Sequence, residues 1–178
     1  SHDSDTTFTP TFFDNSQNMI QNEYRKSFKN SYFEFNFGHV RNYKSSSTNN
    51  KKKNITHFFS KFNHDLNLDN FISSKLSLSI QKVTNDTYLK VFDGNIINTD
   101  LKPNNLNVLK NELKLELDHE DYFFESGIES YESLDKKSND RYQYILPYYN
   151  FDKIFSQNYL NGSISFNSSG NNDLKDTN

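Results

Sequence analysis

Cysteine, tryptophan and alanine are missing from this chain of 178 residues, and proline, glycine and methionine are scarce. Without cysteine there is no disulfide and no thiolate metal site, and the redox compartment is left open. Five scattered glycines match no phosphate-cradling loop. Excess positive charge is also missing: a net charge of −3 and a pI near 5.9 argue against a nucleic-acid partner, whose phosphates need a basic surface. No apolar run approaches the roughly 18 residues of a membrane helix. No signal peptide opens the chain, so an exported form is expected to begin upstream of Ser1.

Apolar residues make up only 33% of the chain, against roughly 45–50% in typical soluble domains. With a mean hydropathy of −0.93, that composition alone points to disorder, because little apolar surface is available to offset chain entropy. Yet 17 Phe and 11 Tyr bring the aromatic content to 16%, and disordered chains are poor in aromatics. A membrane β-barrel reconciles the two, since each strand needs one apolar face while the interior stays polar and wet.

Three stretches carry that pattern. Phe58, Phe62, Leu66 and Leu68 alternate with Lys61, Asn63, Asp65 and Asn67. Leu76, Leu78 and Ile80 alternate with Lys75, Ser77, Ser79 and Gln81. Leu113, Leu115 and Leu117 alternate with Lys114, Glu116 and Asp118. Strict alternation marks strands with one apolar and one polar face. The runs exceed the roughly 5–6 residues of an ordinary soluble strand and suit a tilted membrane strand of about 9–11. The ten apolar residues are therefore expected to face lipid. Lys61, Asn63, Lys75, Ser77, Ser79, Lys114 and Glu116 are expected to line a lumen.

The whole chain reads as nine strands, near 6–13, 19–28, 31–41, 54–69, 71–83, 106–119, 122–133, 140–151 and 159–169. The fold class expected is all-β: an antiparallel transmembrane β-barrel, present as an incomplete arc of about nine long strands over 1–178. Tight turns at Lys29-Asn30, Asp69-Asn70 and Glu120-Asp121 alternate with longer polar connections at 42–53, 84–105 and 134–139. Outer-membrane barrels alternate short periplasmic turns and long outer loops in this way. No segment shows a helical period of 3.6. Aromatic clusters at Phe12-Phe13, Phe58-Phe59, Tyr122-Phe123-Phe124 and Tyr148-Tyr149 are expected near strand ends, as interfacial girdles, or simply follow the strand preference of aromatic residues.

Nothing in the chain reads as an enzyme. His2, His39, His57, His64 and His119 show no metal-ligand spacing, and the odd offset puts His57 and His64 on opposite faces of one strand. Ser126-Gly127 lacks the frame of a nucleophile elbow, and Glu129 and Glu132 read as solvated strand positions. No cofactor is implied. Lys51-Lys52-Lys53 is a solvated charge run or a contact for anionic headgroups. Sequons beginning at Asn54, Asn85, Asn161 and Asn167 are expected by chance in a chain this rich in Asn and Ser.

Three segments carry a family likeness. Asp5-Thr6-Thr7-Phe8-Thr9-Pro10-Thr11-Phe12-Phe13, followed by Gln21-Asn22-Glu23-Tyr24-Arg25, resembles an early barrel hairpin of the LptD family. These are the lipopolysaccharide-assembly, or organic solvent tolerance, proteins of Gram-negative outer membranes. Val83-Thr84-Asn85-Asp86-Thr87-Tyr88-Leu89-Lys90-Val91-Phe92-Asp93 resembles a strand exit of that family, and Tyr142-Gln143-Tyr144-Ile145-Leu146-Pro147-Tyr148-Tyr149 a later strand. The segments fall in family order and span nearly the whole chain.

The resemblance implies a piece of a barrel of more than twenty strands in the outer membrane. It implies lipopolysaccharide as cargo, an LptE-like plug lipoprotein in the lumen and outer-membrane lipid outside. It further implies an LptA-like periplasmic bridge that docks on a jellyroll domain. Signal peptide, jellyroll and closing strands are missing from these 178 residues, as are the cysteines of some members. Pro10 falls in a segment that resembles one near the family's lateral seam. It either weakens pairing there or merely ends the strand at its exit from the bilayer. Two other readings stay open: an unrelated outer-membrane channel or receptor barrel, and a secreted β-sandwich adhesin or carbohydrate-binding protein.

Overall fold

The computed structural model describes residues 3–13, 16–45, 52–137, 139–156 and 162–175. His2, Lys51 and the sequon residue Asn161 lie outside these described residues. Nine strands form one antiparallel sheet in sequence order: β1 (Ser4–Phe12), β2 (Asn18–Ser27), β3 (Ser31–Tyr43), β4 (Lys53–Asp65), β5 (Ser73–Val83), β6 (Val108–Asp118), β7 (Tyr122–Ser133), β8 (Tyr142–Ser156) and β9 (Ser163–Lys175). The sheet is open, with β1 and β9 as its edges. Strands run from 9 to 15 residues, longer than the mode of roughly 5–6 in globular proteins.

The expected strand between 54 and 69 stops early. β4 ends at Asp65, because Asn67 and Asn70 take positive φ values of 49° and 70° and turn the chain. Leu66 and Leu68 therefore sit in the connection, although the Leu66 N–H still donates to the Ser74 carbonyl at 2.8 Å. The last two strands run further toward the C-terminus than expected, to Ser156 and Lys175. Two of the aromatic clusters are also misplaced by the sequence pattern. Phe58-Phe59 and Tyr148-Tyr149 lie in the middle of β4 and β8, not at strand ends.

Cross-strand register sorts the two faces, since directly opposed residues share a face. On one face Phe62 opposes Phe33 and Leu78, Leu78 opposes Leu113, Leu113 opposes Ile128, and Leu76 opposes Leu115. Phe58 opposes Phe37, and Tyr24, Phe33, Phe35 and Phe58 form a row of ring contacts. None of the ten residues expected to face lipid is buried. Leu78, Leu113 and Ile128 expose 37%, 38% and 42% of their surface. No second layer of the described residues covers this face.

The opposite face changes character along the strands. At the end with the short turns it is polar: Lys61 opposes Ser79, Asn63 opposes Ser77, Ser77 opposes Lys114, and Lys75 opposes Glu116. At the other end Met19, Val40, Ile55, Phe59 and Val83 stand on the same face and are buried. The segment 84–107 lies over them. It contains the one α-helix among the described residues, α1 (Tyr88–Phe92), in a stretch with no helical period. Five residues are too few to show one.

Candidate functional site

The polar face and the segment folded onto it make up the candidate site. Tyr88, Leu89, Phe92, Ile96 and Leu101 insert from the segment, each 5% exposed or less. They join Met19, Val40, Ile55, Phe59 and Leu109 in the only hydrophobic core cluster found among the described residues. Burying an aliphatic or aromatic side chain of this size is worth on the order of 1.5–3 kcal/mol. The segment is therefore a packed part of the fold rather than a loose outer loop.

Polar clamps fix its position. The Gln21 side chain is buried; its amide donates to the Asn95 carbonyl at 2.8 Å, and its oxygen accepts from the Ile97 N–H at 3.0 Å. His57 bonds the Tyr88 hydroxyl through Nδ1 at 2.8 Å and Asn36 Oδ1 through Nε2 at 2.5 Å. Burial raises the Tyr88 phenol above its ordinary pKa, so it stays a neutral hydroxyl. The His57 ring occupies the space beside Gly38, its cross-strand partner: a Cβ there would fall within 2.6 Å of Nδ1. Arg141 holds the near end of the segment, contacting Asp86 at 2.7 Å and 3.1 Å and Glu132 at 2.7 Å and 3.0 Å. That fork keeps the Asp86 carboxyl below its usual range and the Arg141 guanidinium above its own.

Replacing Gln21 with Leu should loosen this segment without unfolding the sheet. The change removes the partner of the Ile97 N–H and of the Asn95 carbonyl, both part-buried bonds, at a cost below the roughly 1–3 kcal/mol of a fully buried unsatisfied group, and leaves the segment without its polar anchor. Limited proteolysis should then cut between 84 and 107 in the variant and spare the parent; equal resistance would mean that the clamp carries little.

Below the segment the polar face carries rungs of opposite charge. Lys110 bridges Glu129 at 2.8 Å and Glu112 at 3.0 Å, while Lys114 reaches Glu116 at 3.2 Å and Glu125 at 3.8 Å. Tyr131 donates to Glu129 at 2.7 Å and Tyr148 to Glu112 at 3.4 Å. Further along the face, Arg25 pairs with Glu23 at 2.5 Å and with Glu34 at 3.4 Å. A cavity of about 330 Å³ opens beneath Asp100 and Leu101, lined by Lys61, Asn63, Ser77, Ser79, Glu112 and Lys114. Six of the seven residues expected to line a lumen meet there, Glu116 among them. Lys75 shares the face, opposite Asp65 and Glu116, but stands outside the cavity.

The remaining sequence candidates fall elsewhere. His57 and His64 do take opposite faces: His57 lies under α1, while His64 Nδ1 is 2.7 Å from the Ser31 hydroxyl and its ring stacks on Phe62. No group of three or more His, Asp or Glu gathers to hold a metal among the described residues. Lys52 donates to Ser16 at 3.3 Å. Pro10 sits on the edge strand opposite Ile20. Bonds from the Ser27 N–H to the Asp3 carbonyl and from the Phe13 N–H to the Gln17 carbonyl fix the phase of this ladder. In that phase odd residues of β1 bond β2 and even ones point away. Pro10 thus removes no bond to β2; its missing donor lies on the free edge.

Sequence alone did not reveal the clamp residues Gln21, Asn36, His57 and Tyr88. One trace of the covered zone was present: in β4 the alternation fails at Ile55 and Phe59, where the nominally polar face turns apolar. Comparison with models of known protein families, with curated proteins and with solved structures returned no match.

Proposed function

We propose that this sheet is an arc of an outer-membrane β-barrel, and that the complete barrel is an LptD-like translocon for lipopolysaccharide. The observation that carries the reading is the contrast between the two faces of long strands. One is apolar and uncovered by any described residue; the other is polar and sealed at one end by the chain itself. Lipid is the natural solvent for the first face and water for the second. No helix of the described residues is long and apolar enough to cross a membrane, and a barrel crosses with strands instead.

The placement of the three family-like segments supports the choice of cargo. Asp5–Phe13 and Gln21–Arg25 form one hairpin, with Phe8 opposite Asn22 and Thr9 opposite Gln21. Val83–Asp93 runs from the end of β5 into α1, and Tyr142–Tyr149 opens β8. In this reading the rungs of carboxylate, lysine and hydroxyl meet the sugar-rich part of the lipid, and the acyl chains stay in the bilayer. An LptE-like plug would share the lumen, and an LptA-like bridge would deliver the cargo through a jellyroll domain. A β-sandwich adhesin would need a second sheet over Leu78, Leu113 and Ile128.

Photo-crosslinking in the complete protein in its native outer membrane tests the cargo. A benzophenone side chain at Ser77 or Asn63 should trap lipopolysaccharide. Adducts with other solutes alone would favour a channel or receptor barrel, and a protein recovered in the soluble fraction would overturn the membrane reading.

A further inference from the structure

The geometry points to a built-in parting line within the sheet, between β5 and β6, held open by the side chains of Gln81 and Asn111. The two strands pair from Ser73↔Asp118 to Ser79↔Glu112, and there the register stops, although β5 continues to Val83 and β6 begins at Val108. Two residues further along each strand, the same register would oppose Gln81 to Lys110. The phase of the ladder says what that pair should do. Leu66 N–H donates to the Ser74 carbonyl, so even residues of β5 bond β4 and odd ones face β6. Leu134 N–H donates to the Asn107 carbonyl, so odd residues of β6 bond β7 and even ones face β5. Gln81 and Lys110 should therefore exchange two main-chain bonds.

They do not. The Gln81 N–H donates instead to Asn111 Oδ1 at 2.7 Å, and the Lys110 N–H donates to Gln81 Oε1 at 2.9 Å. Each main-chain donor that should cross the gap has exchanged a carbonyl for a side-chain amide oxygen. The strands stand a side chain apart, yet neither N–H is left without a partner, which a buried donor would not tolerate. Side-chain amides swing on rotatable bonds and hold strands less rigidly than a ladder does.

The same place is thin in another sense. The polar-face cavity of about 330 Å³ and an apolar groove of about 170 Å³ share Leu78, Ser79 and Glu112 as lining. Ile80, Leu113, Ile128 and Leu146 line the groove. A polar and an apolar recess thus back onto each other where the ladder ends, and the wall yields here sooner than between its fully paired strands.

Hydrogen exchange of the complete protein, resolved to single amides, tests the parting line, and it does not depend on what the outer face contacts. Amides of Gln81 and Lys110 should exchange about tenfold or more faster than those of Ser77 and Lys114 on the same two strands. Equal protection at all four would overturn the proposal. In a second arm, Gln81→Val combined with Asn111→Val removes both amides and lets the backbone pair close. Protection at positions 81 and 110 should then rise toward that of 77 and 114; a rate unchanged or faster in the folded variant would also overturn it. Should that variant not fold, the comparison within the parent decides.

Discussion

On the proposed membrane-barrel reading, Leu78→Arg should abolish assembly into the membrane, while Ser77→Arg at the adjacent position is tolerated. The two residues differ by one step along β5 and by everything that surrounds them. Leu78 stands between Phe62 and Leu113 on the uncovered apolar face. An arginine on a lipid-facing strand costs about 2–4 kcal/mol near the bilayer midplane, and none of the apolar side chains beside it offers a counter-charge. Ser77 stands between Asn63 and Lys114 and opens into the polar cavity, where Glu112 and Glu116 are within the same lining. A guanidinium there keeps water and gains carboxylates. Heat-modifiable mobility on gels, together with membrane yield, reads the difference directly. Equal tolerance of both substitutions would remove the assignment of faces.

The second large effect is expected at Gly38. Its α-carbon faces the His57 ring, which is held from both sides by Tyr88 and Asn36 and stacks on Phe59 with centroids 4.6 Å apart. A methyl group at Gly38 has no room unless the ring leaves, and overpacking of this kind typically costs about 1–3 kcal/mol. The hydrogen bonds that anchor α1 would go with it. Gly38→Ala should therefore lower the folded fraction and expose 84–107 to protease. His57→Ala loses the same anchor but creates space, so the double variant should be less damaged than the sum of the two single changes. Strict additivity would mean that the contact is not what makes the glycine necessary.

How much of this was legible beforehand follows from the range of each interaction. Strands announce themselves through a period of two, and all nine were readable from alternation and turn residues, with errors confined to their ends. Alternation overshoots the end of β4 because Leu66 and Leu68 keep the period of two after Asn67 has already turned the chain. The face assignments of Leu76, Leu78, Ile80, Leu113, Leu115 and Leu117 relative to their polar neighbours came from the same local rule. The covering segment did not. Its contacts join residues 74 and 76 positions apart, as in the bonds from Gln21 to Asn95 and Ile97, and no local pattern encodes such a pairing. Ile55 and Phe59 carried the only trace, an apolar interruption of a polar face. The exchange of bonds between Gln81 and Asn111 was invisible for a different reason: both residues are ordinary polar members of their strands, and only the phase of the ladder gives them a role.

These 178 residues contain no cysteine, so single cysteines placed in turn from position 75 to 80, in a complete protein cleared of any cysteine elsewhere, test the central claim most directly. With the protein in its native membrane, a charged water-soluble maleimide should label positions 75, 77 and 79. Positions 76, 78 and 80 should react only with a lipid-soluble reagent. Water-phase labelling at every position, or a pattern without alternation, would contradict a sheet that separates lipid from a wet interior.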